Sequence, residues 1–209
     1  MSVPSCSIAR IVGLTGGIAC GKTAASAVLR RLGATVIDAD TIAASVTEKG
    51  GACHAAIIAL FGADIVLPNG LLDRRSIAKS VFADESLRRR LNEIVHPKVL
   101  AELHRQTAAL TANDKNALAV WEVPLLFESG IDAMVGHTLL VTASDELRVK
   151  RLVTERGYSE HEAIARIAAQ MPESQKIARA DCVIYNNGSL AELERALQIW
   201  YNGIQDGRQ

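Results

Sequence analysis

Residues 16–23 read Gly-Gly-Ile-Ala-Cys-Gly-Lys-Thr and match the G-x-x-x-x-G-K-[ST] pattern of a phosphate-binding loop. A short apolar run rich in β-branched residues precedes them at 9–14, as expected for a buried parallel strand. The residues after the loop show the apolar spacing of an amphipathic helix: Ala25, Val28, Leu29 and Leu32. Strand, glycine loop and helix in this order predict a nucleoside triphosphate site, rather than an incidental glycine-rich turn.

The residue types of this loop suit a triphosphate. Gly16 and Gly21 allow backbone N–H groups to approach phosphate oxygens, and the start of the next helix favours an anion. Lys22 is expected to reach the β- and γ-phosphates, and the Thr23 hydroxyl to ligate Mg²⁺. The predicted ATP-binding residues here are Gly16, Gly17, Ala19, Cys20, Gly21, Lys22, Thr23 and Ala24.

Cys20 stands immediately before Gly21 and Lys22, at the expected N-terminus of a helix and beside an ammonium group. Both features stabilise a thiolate, so we expect a lowered pKa. Because the loop must open to admit phosphates, we also expect an exposed thiol in the empty loop and inactivation by alkylation. The alternative is a buried thiol that packs as a small apolar residue.

Carboxylates follow two predicted strands. Asp38 and Asp40 come after the apolar run 34–37, and two such carboxylates point the same way if the backbone stays extended. A carboxylate at this place can accept a proton from an attacking hydroxyl or orient a metal-bound water, and Asp40 is expected to do so. Asp38 either takes one of these roles or caps the next helix. Glu122 ends the apolar run 118–121 in the manner of a Walker B element, which supports Mg²⁺ through water.

Residues 41–112 show no alternation of strands and helices, and they predict helices only. An all-helical insertion between two strands of a nucleotide-binding core is a suitable place for a second substrate. Pro97 disfavours a helical residue before it, so the long helical run is expected to break at His96. The predicted helices are 41–47, 51–61, 74–81, 84–95 and 97–110.

The last third of the chain predicts strands at 138–141 and 182–185. On the helix expected at 145–156, Arg148 and Arg151 share a face. Ser159 and Glu162 form a capping-box pattern that starts a second helix, with an apolar stripe at Ile164, Ile167, Ala168 and Met171. Arg166 and Gln170 share its other face, which favours a lid over phosphates; the alternative is a plain surface hairpin.

The polar turn at 186–188 and the helix after it complete the chain. Asn186 and Asn187 either offer polar groups to an adenine edge or serve only the turn. The final helix is expected to pack one apolar stripe, made of Leu190, Leu193, Leu197 and Trp200.

Composition narrows the class of protein. The formal net charge is +0, which argues against a nucleic-acid partner, and no apolar run is long enough to span a bilayer. Residues 1–7 lack the basic and apolar regions of a signal peptide, so a cytoplasmic location is expected. The cysteines at 6, 20, 53 and 182 show no metal-ligand spacing and are expected to be reduced. A monomer is plausible, although the sequence does not determine the oligomeric state.

Together, these segments resemble the dephospho-coenzyme A kinase family over roughly residues 8–200. The segments that carry the resemblance are 14–18, 21–23, 36–40, 74–75, 81–82, 96–97, 124–128, 166–170 and 181–188. The family usually has Gly-Ser where this chain has Ala19 and Cys20. Ala19 is strained there if its φ is positive.

The resemblance implies an α/β P-loop fold with a five-stranded parallel sheet, at about 8–40, 113–150 and 181–205. It also implies a coenzyme-A-binding helical insertion at about 41–112 and a lid segment at about 151–180. The implied reaction is Mg²⁺-dependent transfer of the ATP γ-phosphoryl group to the ribose 3′-hydroxyl of dephospho-coenzyme A. Asp40 matches the family's proposed catalytic aspartate, Lys22 and Thr23 match its phosphate and magnesium residues, and Arg166 and Gln170 match its lid motif. Together with the residues predicted from the patterns above, the expected site residues are Asp40, Lys22, Arg151 and Arg166 for catalysis; Asp38, Arg75, His96 and Gln170 for the acceptor; Arg148, Asn186 and Asn187 for ATP; and Thr23 and Glu122 for the metal.

Two competing functions remain. Another P-loop kinase acting on a nucleoside monophosphate or a sugar acid is the first, although an insertion of about seventy residues better suits a bulky acceptor. A nucleotide-switch protein is the second, and the N-K-x-D segment that recognises guanine in such proteins is absent from the sequence.

Overall fold

The computed structural model describes residues 10–114 and 116–206. Contacts divide the chain into two compact units. The core unit comprises residues up to Ile37 and from Leu110 onward, and the helical unit is Asp38–Ala109. Cys6, Ala9 and the segment 1–7, which entered the sequence predictions, lie outside the described residues.

The core unit is built on a five-stranded sheet, which confirms the predicted fold class. β1 pairs in parallel with β3 and β4, and β4 pairs in parallel with β5. The spatial order is β2-β3-β1-β4-β5. The strands are β1 Ile11–Thr15, β2 Thr35–Asp38, β3 Ala119–Glu122, β4 His137–Thr142 and β5 Cys182–Tyr185. Every residue of β1 and β3 is buried, as expected of central strands in a parallel sheet.

Helices connect these strands. The α-helices are α1 Lys22–Arg31, α2 Ala39–Thr47, α3 His54–Phe61, α4 Arg74–Ala83, α5 Glu85–Asn113, α6 Asp145–Arg156, α7 Glu160–Ala168, α8 Glu173–Arg179 and α9 Leu190–Gln205. The predicted capping box of Ser159 and Glu162 is present at the start of α7. Within the described residues, no helix combines the length and the apolar character needed to cross a membrane.

A large apolar cluster of the core unit lies where strand residues meet helices α1 and α9. Leu193, Leu197 and Trp200 of α9 are buried in this cluster, as the sequence predicted. Leu190 is 58% exposed, so its inclusion in the buried stripe was wrong. It is the first residue of α9, and the helix packs only from the next turn onward.

The helical unit has a smaller core, made of Cys53, Ile57 and Ile65 with partly buried neighbours. The predicted break at His96 is wrong, because α5 runs continuously through Pro97. Proline removes one backbone donor from a helix, but Val99 and Leu103 beyond it are buried. We attribute the continuity of α5 to this packing, which favours the helical backbone over the local preference.

Candidate active site at the phosphate loop

The loop between β1 and α1 depends on its glycines for space and conformation. Gly21 is the N-cap of α1 with φ 92°, and an added Cβ there would collide with Asn186 Nδ2. A Cβ on Gly16 would lie 2.5 Å from the carbonyl oxygen of Val141. Ala19 has φ 62°, so it adopts a left-handed conformation that costs a non-glycine residue about 1 kcal/mol. The departure at Ala19 therefore carries strain.

Lys22 and Glu122, predicted separately, meet at this loop. Lys22 Nζ lies 2.6 Å from Glu122 Oε1, and the Ser26 hydroxyl donates to Glu122 Oε2 at 2.6 Å. Ser26 was missed by the sequence analysis, although its spacing of four from Lys22 places both on one face of α1. Thr23 is exposed in the first turn of α1. A charged pair and an exposed threonine thus lie at the start of α1.

Arg151 and Asn186 lie far from the phosphate loop in sequence, and both donate hydrogen bonds to its backbone. Arg151 donates from Nη1 to the Ala19 carbonyl and from Nη2 to the Asn186 carbonyl, each at 3.0 Å. The buried Asn186 amide donates to the Cys20 carbonyl at 2.9 Å. Asn187 accepts from the Ser144 N–H at the start of α6. Asn186 therefore does more than form a turn, while contact with adenine stays a prediction.

Arg148 and Gln170 lie against Ile18. Arg148 is 2% exposed and donates from Nε to the Ile18 carbonyl at 3.1 Å. Gln170 Oε1 accepts from the Ile18 N–H at 2.8 Å. The structure thus places Arg148 beside the loop as expected, but with its guanidinium engaged by protein groups. Gln170, predicted to bind the acceptor, contacts the phosphate loop.

Cys20 is fully buried, which contradicts the expected exposed, reactive thiol. Burial raises the pKa of the Cys20 thiol above its ordinary value, and this effect outweighs the lowering by the Arg148 charge. The alternative interpretation, a thiol that packs as a small apolar residue, is confirmed.

The predicted lid segment, at about residues 151–180, contains Arg166 and Lys176. The Arg166 guanidinium stacks 4.3 Å above the ring centroid of Tyr158. Ile164 is 52% exposed and Ala168 is also exposed, so the predicted apolar stripe of α7 is wrong at these two positions; the buried residue of α7 is Ala163. Lys176, missed in the sequence, is fully buried with Nζ 3.4 Å from Glu128 Oε1. A lysine surrounded by ordinary helical residues gave no signal of this burial.

Three predicted acceptor residues lie in the helical unit: Asp38 ends β2 and is the N-cap of α2, Arg75 is on α4 and His96 is on α5. Asp38 caps α2, because its Oδ1 accepts from the N–H groups of Asp40 and Thr41 at 2.8 and 3.3 Å. Asp40 is exposed in the first turn of α2, and Arg75 is exposed in the first turn of α4. His96 is half-buried on α5, and burial lowers its pKa. Of the two roles considered for Asp38, the structure contains the helix cap; the acceptor roles stay predictions.

In this chain, strand β1 of a parallel sheet is followed by a glycine-rich loop and by helix α1, which begins at Lys22. This arrangement defines the P-loop class of nucleotide-binding proteins. The lysine–glutamate pair and the arginines around the loop supply charges suited to phosphate chemistry within this class.

Comparison with known proteins narrows the class. The dephospho-CoA kinase family model matches residues 10–192. The dephospho-CoA kinase of Geobacillus kaustophilus is 43% identical over 186 residues, covering 89% of this chain and 92% of the relative. That of Symbiobacterium thermophilum is 46% identical over 181 residues, covering 87% and 75%. The chain therefore belongs to the dephospho-CoA kinase family.

Solved structures are similar over nearly the whole chain. TT1252 from Thermus thermophilus superposes with a TM-score of 0.79 at 40% identity, covering 92% of this chain and 96% of that one. The dephospho-CoA kinase from Campylobacter jejuni gives 0.72 at 26% identity, covering 96% and 99%.

Proposed function

We propose that the protein transfers the γ-phosphoryl group of ATP to the ribose 3′-hydroxyl of dephospho-coenzyme A, giving coenzyme A and ADP. The observation that carries the proposal is the phosphate loop at the start of α1, with Lys22 at its mouth, in a chain of the dephospho-CoA kinase family. The balanced reaction breaks the bond between the β–γ bridging oxygen and the γ-phosphorus. A bond forms between that phosphorus and the ribose oxygen, whose proton leaves.

ATP is proposed to bind where the loop presents backbone N–H groups and the positive end of the α1 dipole. Lys22 is paired with Glu122, and its flexible side chain would exchange this carboxylate for phosphate oxygens. Arg151 already contacts the loop, and Arg166 would leave the Tyr158 ring to neutralise charge on the transferring group. Asn187 and Asn186 are proposed to border the adenine.

The residues present fit a magnesium ion that arrives with the nucleotide. Thr23 offers a hydroxyl and Glu122 a carboxylate, both of which are hard oxygen donors. Among residues 10–114 and 116–206, no cluster of three or more His, Cys, Asp or Glu side chains could form a metal site by itself. Mg²⁺ typically keeps several waters and binds through substrate phosphates plus one or two protein oxygens, so this sparse donor set is suitable. When bound, the ion would neutralise charge on the β- and γ-phosphates.

Asp40 is proposed as the general base that accepts the proton of the 3′-hydroxyl. It lies two residues beyond the end of β2, and the carboxyl ends of parallel strands are where ligands bind in open α/β sheets. Its carboxylate is exposed on α2, so solvent can receive the proton afterwards. The proposed acceptor-binding residues are Asp38, Arg75, His96 and Gln170.

The test compares acceptors in one assay of ADP release: dephospho-coenzyme A, its 3′-deoxy analogue, nucleoside monophosphates, gluconate and shikimate. Only dephospho-coenzyme A is expected to raise ADP release far above the basal rate, and mass spectrometry should locate the new phosphate on the 3′-oxygen. The 3′-deoxy analogue is the matched control, since it lacks only the attacking group. Preference for a monophosphate or sugar acid, or acceptor-independent turnover, would contradict the proposal.

A further inference from the structure

Arg148 is unusual among the charged residues of α6, because its side chain is almost completely buried. Its guanidinium donates to four groups: the Ile18 carbonyl at 3.1 Å, Gln170 Oε1 at 3.3 Å, Asp145 Oδ1 at 3.0 Å and Glu173 Oε2 at 3.5 Å. Burial of a guanidinium is costly unless it is paired and hydrogen-bonded. Here two carboxylates, one backbone carbonyl and one side-chain amide oxygen accept its hydrogen bonds.

The contacts of Arg148 meet those of Gln170 at one residue of the phosphate loop. Gln170 Oε1 accepts from the Ile18 N–H at 2.8 Å, while Arg148 Nε donates to the Ile18 carbonyl. Arg148 also donates to the same Gln170 oxygen. The backbone of Ile18 is therefore held on both sides by side chains that contact each other, one from α6 and one from the lid segment.

Gly17 supports this interpretation independently. The G-x-x-x-x-G-K-[ST] pattern leaves this position open, so the motif does not demand glycine there. An added Cβ would lie 2.6 Å from Arg148 Nη2, 3.1 Å from its Cζ and 3.2 Å from Gln170 Oε1. The φ of Gly17 is outside the left-handed region, so conformation alone does not require glycine either. The Arg148 side chain, which lies against Gly17, accounts for the glycine at this position.

We propose that Arg148 is a positioning residue, which fixes the backbone of the phosphate loop at Ile18 and ties it to lid residue Gln170. With its donors committed to protein groups, Arg148 acts on ATP through the shape of the loop and not by direct contact. Through Arg148, the position of the phosphate loop depends on the position of the α7–α8 connection, which contains Gln170. Loss of Arg148 should therefore disturb ATP use. The kinetic part of the test rests on the proposed function, whereas the binding part does not.

The first experiment compares Arg148→Met and Arg148→Lys, with Lys150→Met as the control for loss of an exposed cation on the same helix. ATP affinity is measured by calorimetry without acceptor, together with kcat, both KM values and Tm. Because displacement of catalytic groups by about 1 Å can cost 10²-fold, Arg148→Met should lower kcat/KM for ATP by about 10- to 100-fold. The KM for dephospho-coenzyme A should change less, by no more than about threefold, because Gln170 keeps its own hydrogen bond from the Ile18 N–H.

Arg148→Lys separates positioning from stability. A lysine keeps a cation near Asp145 and Glu173, but it lacks the planar fork that reaches Ile18 and Gln170 together. It should therefore recover most of the Tm lost in Arg148→Met while recovering little ATP affinity or kcat/KM. If Arg148→Lys restored the ATP parameters along with Tm, or if Arg148→Met left both ATP parameters within twofold, the proposal would be wrong.

The second experiment is a double-mutant cycle with Gly17→Ala, which leaves no charge unpaired. Alone, it should weaken ATP binding by about 10-fold, because the new methyl group must displace a buried side chain. In the Arg148→Met background the same change should cost less than about threefold, since the flexible methionine can yield. Equal losses in both backgrounds would overturn the proposal. A wild-type protein that binds ATP but ignores dephospho-coenzyme A would instead refute the proposed function, and the ATP affinities would still decide the role of Arg148.

Discussion

The two units stabilise their charged side chains in different ways. Around the phosphate loop, contacts join residues far apart in sequence: Glu122 to Lys22, Arg148 to Ile18, and Asn186 to Cys20. In the helical unit, Arg74 donates to Thr47 Oγ1, 27 residues away, but Glu102 pairs with Arg105 within one helical turn, and Asp73 caps the helix that it precedes. Long-range polar contacts couple several elements, so one substitution in the core unit should disturb the whole loop. A substitution at a local pair of the helical unit, such as Glu102 and Arg105, should act locally.

Asp40 is the residue most able to break this comparison, since it lies in the helical unit yet is proposed to carry catalysis. Asp40→Asn should lower kcat by about 10²- to 10⁴-fold, because it preserves size but removes the proton acceptor, while ATP affinity remains unchanged. Single-turnover kinetics and calorimetry would measure the two effects. The matched control is Asp64→Asn, at another exposed carboxylate of this unit. A kcat within threefold of wild type would assign Asp40 to structure.

Lys22 tests the same comparison between the two units with a residue of the core unit. Lys22→Met should lower kcat by about 10²- to 10³-fold through lost stabilisation of phosphate charge. It should also lower the free energy of unfolding, by less than the roughly 3–5 kcal/mol typical of breaking a fully buried pair, because the Lys22 side chain is 17% exposed. Adding Glu122→Gln should restore much of the stability without restoring kcat. Recovery of activity in the double variant would show that Lys22 serves only to neutralise Glu122.

The phosphate loop was predictable because its motif is local: glycine spacing, a preceding strand and a following helix occupy residues 11–31. The contacts that support the loop were harder to predict from the sequence, because the roles of Ser26, Gly17 and Lys176 depend on partners that are distant in sequence and adjacent only in the fold. Pro97 shows the same limit, since packing of the residues beyond it outweighs its local tendency to end a helix. The prediction for Cys20 was wrong for a related reason. Its position before a helix suggested a lowered thiol pKa, but its burial depends on the elements that surround it in the fold.

Cys20 provides a test of how closely the loop is enclosed. Since burial raises the pKa of its thiol, Cys20 stays protonated at neutral pH, and its alkylation should be slow. Iodoacetamide should modify Cys20 in the native protein about 10²-fold more slowly than in urea-unfolded protein, with mass spectrometry locating the label. The partly exposed Cys182 serves as the internal comparison. Modification of native Cys20 at the unfolded rate would indicate that the loop opens readily without nucleotide.

The smallest expected effect concerns Glu102, which receives two guanidinium hydrogen bonds from Arg105, each 2.7 Å long, and one from Gln106 at 2.8 Å. The Arg105 hydrogen bonds, followed by that of Gln106, lower the pKa of Glu102 to about 2. A carboxylate with a lowered pKa stabilises the fold above its ordinary pKa, and that contribution disappears as the pH falls through about 2.

The Arg105 side chain is 67% exposed, so solvent screening keeps this contribution small despite the large pKa shift. Glu102→Gln should lower Tm at pH 7 by only about 1 °C, and the difference should shrink in about 1 M salt. Calorimetric Tm values in low and high salt would measure this, with carboxyl NMR titration of Glu102 checking the pKa. A loss above about 4 °C that persists in high salt would mean that this pair is as strongly coupled to the fold as Lys22 and Glu122. The distinction between local charges in the helical unit and shared charges around the loop would then fail.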